Sequence, residues 1–294
     1  MSEAIIEVKN LVREFGTKRA LDDVTLTVQP GTVMGLVGEN GAGKTTLIKH
    51  VLGLLKAQTG TVSVFGMDPV SNPEAVLSKI GYLSEEGDLP TWMRVHELMR
   101  YSAAFYPTWD DAYAMKLLDE FKLDPGAKLS KMSKGQRSRA GLLVAMAYRP
   151  QLLVLDEPSS GLDPIVRKDI LGAIIRTIAD DGRTVLFSSH LLSEVERVAD
   201  QISMVKAGKI LISDSLDNVK DSHYRATLLF DKPQSETPAI PGNLTWAGGG
   251  REWNGTFSGD GSQLESTAKA LGAKIVERAN LSLEEIFVAR VGAA

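Results

Sequence analysis

Residues 38–46 have the types and spacing of a loop that binds phosphate groups. An apolar segment, Val33–Val37, runs into a glycine, four further residues, a second glycine, Lys44 and Thr45, which is the pattern of a phosphate-binding loop. Glycines let the backbone curl so that successive N–H groups point inward, and the helix that follows adds the positive end of its dipole. Lys44 can bridge the β- and γ-phosphates of a nucleotide, and the Thr45 hydroxyl can bind Mg²⁺. The loop residues predicted to contact ATP are Gly38, Glu39, Asn40, Gly41, Ala42, Gly43, Lys44, Thr45 and Thr46.

A pair of acids follows a second apolar segment, Leu152–Leu155. Sheets of α/β proteins place their ligands at the carboxyl ends of the strands, and a buried strand that ends in two acids needs a cation nearby. We therefore predict that Asp156 binds Mg²⁺, directly or through water, and that Glu157 orients and deprotonates the attacking water. The alternative is a solvated turn that carries two acids.

His190 follows a third apolar segment, Thr184–Phe187, at the same predicted edge of the sheet. An imidazole at this place could contact the γ-phosphate and steady Glu157, which gives a predicted catalytic set of Glu157, His190 and Lys44. A lone histidine is more often a structural hydrogen-bonding group, and that alternative stays open.

The composition is that of a globular protein with no general affinity for polyanions. The 294 residues are 43% hydrophobic and 24% charged, and 33 Lys and Arg against 37 Asp and Glu give a net charge of -4. That balance argues against broad binding to nucleic acid or to an anionic bilayer, so no nucleic-acid partner is expected. The chain has no cysteine, which excludes disulfides, thiolate metal sites and cysteine nucleophiles. No stretch approaches the roughly 20 apolar residues that cross a bilayer.

Strands that alternate with helices between Gly135 and Val205 predict a parallel sheet that is covered on both faces. Two runs with a period of two residues, Ala4–Lys9 and Val24–Val28, are typical of half-buried antiparallel strands. The segment Val95–Leu123 is mostly helical in character. The expected fold class is therefore α/β, with an antiparallel β subdomain and an inserted α-helical subdomain.

A polar connection is expected over Asp214–Ser222, followed by a small α+β region. Its predicted strands and helices are Tyr224–Phe230, Gln263–Leu271, Lys274–Glu277 and Ser282–Val291, and residues 231–250 are rich in Pro and Gly. We expect one domain at residues 1–221, with its helical subdomain at about residues 90–150, and an accessory domain at residues 222–294.

With these parts in order, residues 5 to about 220 resemble the nucleotide-binding domain of ABC transporters. Residues 133–136, Ser-Lys-Gly-Gln, resemble the family's signature loop, residues 160–163 resemble its D-loop, and His190 resembles its switch histidine. Phe15 stands where the family stacks an aromatic ring on adenine, although ordinary core packing would also account for an aromatic residue there.

The resemblance implies a head-to-tail dimer with ATP between two ATPase subunits, either identical or paralogous. The signature helix of one subunit would direct its N-terminal dipole at the γ-phosphate that Lys44 of the other subunit holds. By this resemblance the further nucleotide-binding residues are Phe15, Ser133, Gly135, Gln136 and Asp163.

Two positions depart from the family pattern. Lys134 stands where the signature usually has glycine, and it adds a cation beside the loop. Glu85 stands where the family has the glutamine of its Q-loop, and a glutamate there can still reach Mg²⁺ or its water while it brings negative charge near the γ-phosphate. The alternative for Glu85 is a surface acid in the acidic stretch Glu85–Asp88.

Glu85, the helical insert and a terminal element at Ser282–Phe287 resemble the ATPases of ABC-2-type exporters. The resemblance implies an ATPase that drives a separate integral membrane permease from the cytoplasmic face of the plasma membrane, with residues from Glu85 to about Tyr106 against the permease. The alternative is a soluble ABC-type ATPase with a regulatory role outside transport.

Overall fold

The computed structural model describes residues 4–293, and for residues 174, 176–181 and 293 it describes the backbone alone. The chain divides into two compact units, and the division falls between Ser213 and Asp214. The strands are β1 Ile6–Phe15, β2 Lys18–Val28, β3 Val33–Gly38, β4 Thr59–Val64, β5 Ile80–Leu83, β6 Leu152–Leu155, β7 Thr184–Ser189, β8 Gln201–Lys206, β9 Lys209–Ser215, β10 His223–Gln234, β11 Asn243–Ser258 and β12 Ala273–Asn280. The α-helices are α1 Lys44–Val51, α2 Pro73–Leu77, α3 Val95–Ala103, α4 Asp111–Glu120, α5 Lys134–Ala147, α6 Pro164–Asp181, α7 Leu192–Val198, α8 Leu216–Asp221, α9 Gly261–Ala270 and α10 Leu283–Ala293.

The central sheet of the first unit has six strands in the order β5-β6-β7-β3-β8-β9, and the first five pair in parallel. Strand β6 is buried along its whole length, as expected of a strand covered on both faces. The parallel register pairs Val37 with Ser189 and Leu155 with Phe187. The phosphate-binding loop, the acid pair and His190 therefore leave the sheet at the same edge.

A second sheet in this unit has the order β2-β1-β4, and its strands are antiparallel. Strand β2 alternates buried and exposed residues, which is the period-two signal of its sequence. Strand β1 runs well beyond the predicted end at Lys9, because register shifts at Asn10 and after Leu11 let the strand bend while it continues to pair.

The helical subdomain lies between β5 and β6 in the chain. The predicted helical segment Val95–Leu123 consists of two helices, α3 and α4, that are separated around Pro107. Asp110 caps α4 by accepting a hydrogen bond from the Tyr113 N–H, and the Arg149 guanidinium lies 2.7 Å from the same carboxylate. Both helices pack on α5. The α/β class with an antiparallel subdomain and an inserted helical subdomain is thus confirmed.

The second unit is an antiparallel sheet in the order β11-β10-β12 with α9 and α10. Its core includes Leu228, Phe257 and Leu264. The sequence predicted no strand at 243–258, because Gly248 and Gly250, both at positive φ, look like turn residues there. Pairing with β10 fixes this segment as a strand regardless of its local preference.

The expected polar connection at 214–222 is also regular structure. It holds the end of β9 and then α8, which Ser215 caps by accepting a hydrogen bond from the Asn218 N–H. Residues 214–221 belong to the second unit, since α8 packs on β10. Among residues 4–293 no helix has the length and hydropathy to span a membrane.

Candidate functional site

The phosphate-binding loop joins β3 to α1 and encloses the Lys44 side chain. Gly43 caps the helix at a φ of 113°, and a Cβ there would lie 2.6 Å from the Ala20 carbonyl oxygen. At Gly38 a Cβ would lie 2.4 Å from the Val205 carbonyl oxygen. Both positions therefore require glycine. Gly43 requires it for a second reason, because residues with a Cβ rarely adopt a φ of this size. Lys44 is buried, and its Nζ donates to the carbonyl oxygens of Gly38 at 2.7 Å and Glu39 at 3.2 Å.

Asp156 is buried at the end of β6 beside the phosphate-binding loop. The Ser188 hydroxyl donates to its Oδ1 at 2.6 Å, and the Thr45 side chain is a second hydrogen-bonding partner. Burial raises the pKa of Asp156, and the nearby charges of Glu157 and Glu85 raise it further, while the two hydroxyl hydrogen bonds lower it. Burial is the main cause of this shift, and a divalent ion beside Asp156 would favour the ionised carboxylate.

Glu157 connects the catalytic groups that the sequence predicted. Its Oε1 lies 3.0 Å from Lys44 Nζ, an ion-pair contact without hydrogen-bond alignment, and its Oε2 lies 2.7 Å from His190 Nδ1. The Glu157 N–H donates to the Ser188 hydroxyl at 2.8 Å. Glu157 is buried, so the alternative of a solvated turn does not describe this loop. The structure therefore brings Lys44, Glu157 and His190 into one contact chain.

The residues at this edge fit Mg²⁺ bound together with a nucleotide. Thr45 and Asp156 offer a hydroxyl and a carboxylate in contact with each other, and Glu85 lies close enough to influence the Asp156 pKa. Among the residues described, no group of three or more His, Cys, Asp and Glu side chains could hold a metal ion alone. An ion at Asp156 would thus take its remaining ligands from phosphate oxygens and water, as Mg²⁺ commonly does.

Phe15 lies on a groove that it shares with the phosphate-binding loop. The lining of this groove comprises Phe15, Lys18, Ala20, Gly41, Gly43, Lys44, Thr45 and Thr46. Phe15 is 45% exposed, so it is not a core residue, and the Arg13 guanidinium lies over its ring at 4.6 Å from the centroid. An exposed aromatic ring beside a phosphate-binding loop is suited to stacking on a nucleotide base.

The signature residues begin helix α5 and form its N-terminal cap. The Ser133 hydroxyl accepts from the Gln136 N–H at 3.2 Å, and the Gln136 side chain accepts from the Ser133 N–H at 2.9 Å. Gly135 is buried, and a Cβ there would lie 2.8 Å from a methyl group of Val166. No hydrogen bond or ion pair of the described chain joins residues 133–136 to Lys44, Asp156 or Glu157, so the structure does not bring these two predicted groups together within one subunit.

The D-loop acid and the acid at the Q-loop position are both at the surface. Asp163 caps α6 by accepting from the N–H groups of Val166 and Ile165, and the first of these bonds is the largest cause that lowers its pKa. Glu85 is exposed, and its Oε1 accepts from the Ser160 hydroxyl at 3.3 Å. That bond joins the Q-loop position to the D-loop.

Sequence reasoning assigned no role to Ser188, whose hydroxyl contacts both acids of the site, or to Glu194 on α7. Glu194 is 4% exposed and accepts a 2.5 Å hydrogen bond from Ser159. The signal for Ser188 was its place two residues before His190. No comparable signal marked Glu194, because its partner stands 35 positions away in the sequence.

This chain shares sequence with the ATP-binding proteins of ABC transporters. The family model described as ABC transporter matches residues 21–160. The daunorubicin resistance ATP-binding protein DrrA3 of Streptomyces coeruleorubidus is 35% identical over 232 residues, which are 75% of this chain and 71% of that protein.

Two solved structures share the fold over about three quarters of this chain. The structure of an ATP binding subunit of an ABC transporter has a TM-score of 0.68 at 30% identity and covers 74% of this chain and 92% of its own. A dimeric ATP-binding cassette bound to ADP and Pi in a post-hydrolysis state has a TM-score of 0.64 at 21% identity, with coverages of 72% and 98%. The chain therefore belongs to the ATP-binding proteins of ABC transporters.

Proposed function

We propose that this chain is the ATPase subunit of an ABC exporter and that Lys44, Glu157 and His190 carry out the hydrolysis. The observation that carries the proposal is the continuous contact from the Lys44 ammonium through both Glu157 oxygens to the His190 ring. A nucleotide in the phosphate-binding loop would place its γ-phosphate beside Lys44, and Glu157 is then next to the water that attacks it.

Each group of the contact chain has a separate role in this proposal. Lys44 would exchange its contacts with two carbonyl oxygens and Glu157 for contacts with phosphate oxygens, which releases the Glu157 carboxylate to accept a proton from water. His190 would hold Glu157 in place through its Nδ1 contact. The 36% exposed imidazole has a second ring nitrogen that is available for the γ-phosphate.

Mg²⁺ is the metal ion that we propose for this site. Thr45 and Asp156 would hold it, with Glu85 as a further ligand or as a partner of a bound water. When bound, the ion neutralises charge on the phosphate oxygens. The chain itself would supply the other contacts to the nucleotide: the loop N–H groups would orient the phosphates, and Phe15 would stack on the base.

A second copy of the chain, or a paralogous subunit, would complete each site. The N-terminus of α5 has residues typical of anion binding, yet no hydrogen bond or ion pair among the described residues joins it to Lys44 in its own subunit. In a head-to-tail pair, Ser133, Gly135 and Gln136 of one subunit would face the ATP held by the other. The solved cassette that is described as dimeric supports pairing of two such subunits.

A separate membrane permease would receive the motion of the dimer at the cytoplasmic face of the membrane. The helical subdomain exposes large aromatic side chains, among them Trp92 at 69% and Phe105 at 63%. An apolar cleft of this unit is lined in part by Leu89, Tyr106 and Val144. Exposed aromatic rings and an apolar cleft are both typical of a protein-binding surface. The relative named for daunorubicin resistance favours export.

The two compact units would be separate domains, a nucleotide-binding domain followed by an accessory domain.

Purification of the tagged chain from detergent-solubilised membranes tests directly whether the chain binds a permease. A multi-span membrane protein should accompany it, and it should be lost when Trp92 and Phe105 are both changed to Ser. Recovery without any such protein would support the regulatory, non-transport alternative.

The hydrolytic role is tested by Glu157→Gln. The amide keeps the shape of the side chain but cannot accept the proton, so the steady-state ATPase rate should fall by about 100-fold or more while ATP still binds. Normal turnover by this variant would show that Glu157 is not the base.

A further inference from the structure

Helix α7 carries a buried carboxylate, Glu194, that lies between the two loops of the proposed active site. Glu194 is 4% exposed. A buried carboxylate is costly unless it is paired and hydrogen-bonded, so its partners have to be strong ones. They come from three different segments of the chain.

One oxygen of Glu194 holds the two loops that carry the catalytic pair. Ser159, two residues after Glu157, donates to Glu194 Oε2 at 2.5 Å. Ser189, the residue before His190, has its hydroxyl 3.5 Å from the same oxygen. Both serines are buried, with 1% exposure each, so water cannot substitute for these contacts.

The other oxygen of Glu194 reaches helix α6 and the D-loop. Arg167 Nε lies 3.1 Å from Glu194 Oε1, an ion-pair contact without hydrogen-bond alignment. The same guanidinium donates to the Leu162 carbonyl oxygen at 3.1 Å. Glu194 is therefore tied, through Arg167, to the loop that the proposed dimer would place at the subunit interface.

The backbone of the Glu157 loop is strained, and the contact between Ser159 and Glu194 helps to hold it in place. Glu157 has a φ of 46°, a left-handed conformation that is unfavourable for a residue with a Cβ. Such conformations persist when the surrounding structure fixes them, and Ser159 lies within this turn. Without its acceptor, Ser159 would be free to shift, and Glu157 would shift with it relative to His190.

We infer that Glu194 is a positioning residue that fixes the position of Glu157 relative to His190. Through Arg167 it also connects the two loops that carry these residues to the D-loop. It acts on the proposed catalytic groups through its contacts with Ser159, Ser189 and Arg167. The inference rests on the proposed function, because it assumes that Glu157 and His190 are the groups whose spacing matters.

The test is Glu194→Gln in the full-length chain, with kcat measured separately from the affinity for a fluorescent ATP analogue. The amide keeps the size of the side chain but removes the charge opposite Arg167. We expect kcat to fall by about 10- to 100-fold, as small misplacements of catalytic groups do, while nucleotide affinity changes by less than about 2-fold. Glu74→Gln, an amide substitution at an exposed glutamate of α2, is the control and should leave both quantities unchanged.

A purely stabilising role would lower the thermal midpoint and the fraction of chains that bind nucleotide, but not kcat per nucleotide-binding site. A kcat within 2-fold of the unmodified chain, or an equal loss of rate and affinity, would overturn the inference. Ser159→Ala provides a second route if Glu194→Gln folds poorly. Each single change should reduce kcat. The fold-reduction of kcat in the double variant should be smaller than the product of the two single fold-reductions, because both changes break the same contact. A fold-reduction equal to that product would contradict the inference.

Failure of this inference is distinguishable from failure of the proposed function. If Glu157→Gln is inactive and Glu194→Gln is normal, Glu194 has no positioning role and the proposed base stands. If Glu157→Gln hydrolyses ATP at the normal rate, both proposals are refuted.

Discussion

Glu157 combines a left-handed backbone with three contacts, to Lys44, Ser188 and His190. A non-glycine residue in this conformation costs on the order of 1–3 kcal/mol, which the surrounding contacts have to offset. Strain of this kind is concentrated at functional sites because the fold holds one arrangement of the reacting groups in place. At the scale of residues, the hydrolytic chemistry thus depends on contacts that other segments supply.

Lys44→Ala should remove most of the affinity for nucleotide. Lys44 is the only Lys or Arg in the sequence of residues 38–46. Charge-assisted hydrogen bonds are each worth about 1.5–3 kcal/mol, which corresponds to a loss of roughly 10- to 100-fold in affinity. Titration with a fluorescent ATP analogue measures the effect. Lys49→Ala, at an exposed position of the same helix, should bind normally. Unchanged affinity in Lys44→Ala would refute the assigned phosphate contact.

Glu85→Gln should change how the ATPase depends on Mg²⁺. The charge of Glu85 is one cause of the raised pKa of Asp156, so both carboxylates contribute negative charge at the proposed Mg²⁺ site. Removing one negative charge should raise the half-saturating Mg²⁺ concentration by roughly 2- to 10-fold. Glu86→Gln, the exposed neighbour, is the control. If neither the Mg²⁺ dependence nor the rate changes, Glu85 is an ordinary surface acid.

The spacing of chemical groups within one segment was readable from the sequence, and contacts between segments were not. The phosphate-binding loop and the two acids each follow an apolar strand, and the parallel sheet brings them to one edge. The contacts of Ser188 and Glu194 depend on how β7 and α7 pack against the loop after β6. No local pattern specifies such packing.

At the scale of elements, the apolar strands of the central sheet were predicted closely, whereas β1 and β2 are both longer than the period-two runs predicted. Strand β6 begins and ends where its apolar run does. Strand β11 was missed, because its two positive-φ glycines are turn signals and only pairing with β10 makes the segment a strand. Helix α8 was missed for a related reason: six polar-rich residues give no periodicity, whereas the Ser215 cap and packing on β10 stabilise the turn.

The second unit should lose stability in mild acid through His223. His223 is buried between α8 and α10, with Nδ1 on the Val219 carbonyl oxygen and beside the Ser222 hydroxyl, and with Nε2 accepting from Arg290. Burial lowers its pKa below the ordinary 6.5, the Arg290 charge lowers it further, and the hydrogen bond to Val219 acts in the opposite direction. The unfolded chain therefore binds the proton more readily, so the stability is fully present above about pH 6.5 and declines as the pH falls below that value.

Urea unfolding of the full chain at pH 7.5 and pH 5.5 measures this effect. His223→Asn should reduce the difference between the two free energies of unfolding, whereas His96→Asn, at an exposed histidine, should not. His50 is also buried with a lowered pKa, so part of the pH dependence should remain. An unchanged difference in His223→Asn would contradict the proposed linkage.

At the scale of the whole molecule, we propose that one chain holds only half of each ATP site. Lys44, Asp156, Glu157 and His190 meet at one edge of the sheet, and no hydrogen bond or ion pair among the described residues joins them to the signature residues on α5. A second subunit would bring the two halves together around ATP. Hydrolysis would then separate them, which is how the site could drive a membrane partner.

The most direct test is the mass of Glu157→Gln by light scattering in the presence of Mg²⁺ and ATP. Because this variant should bind ATP without hydrolysing it, we predict the mass of two chains with ATP and of one chain with ADP. The double variant Lys44→Ala, Glu157→Gln should remain a single chain with either nucleotide. A Glu157→Gln protein that binds ATP yet keeps the mass of one chain would contradict the paired site.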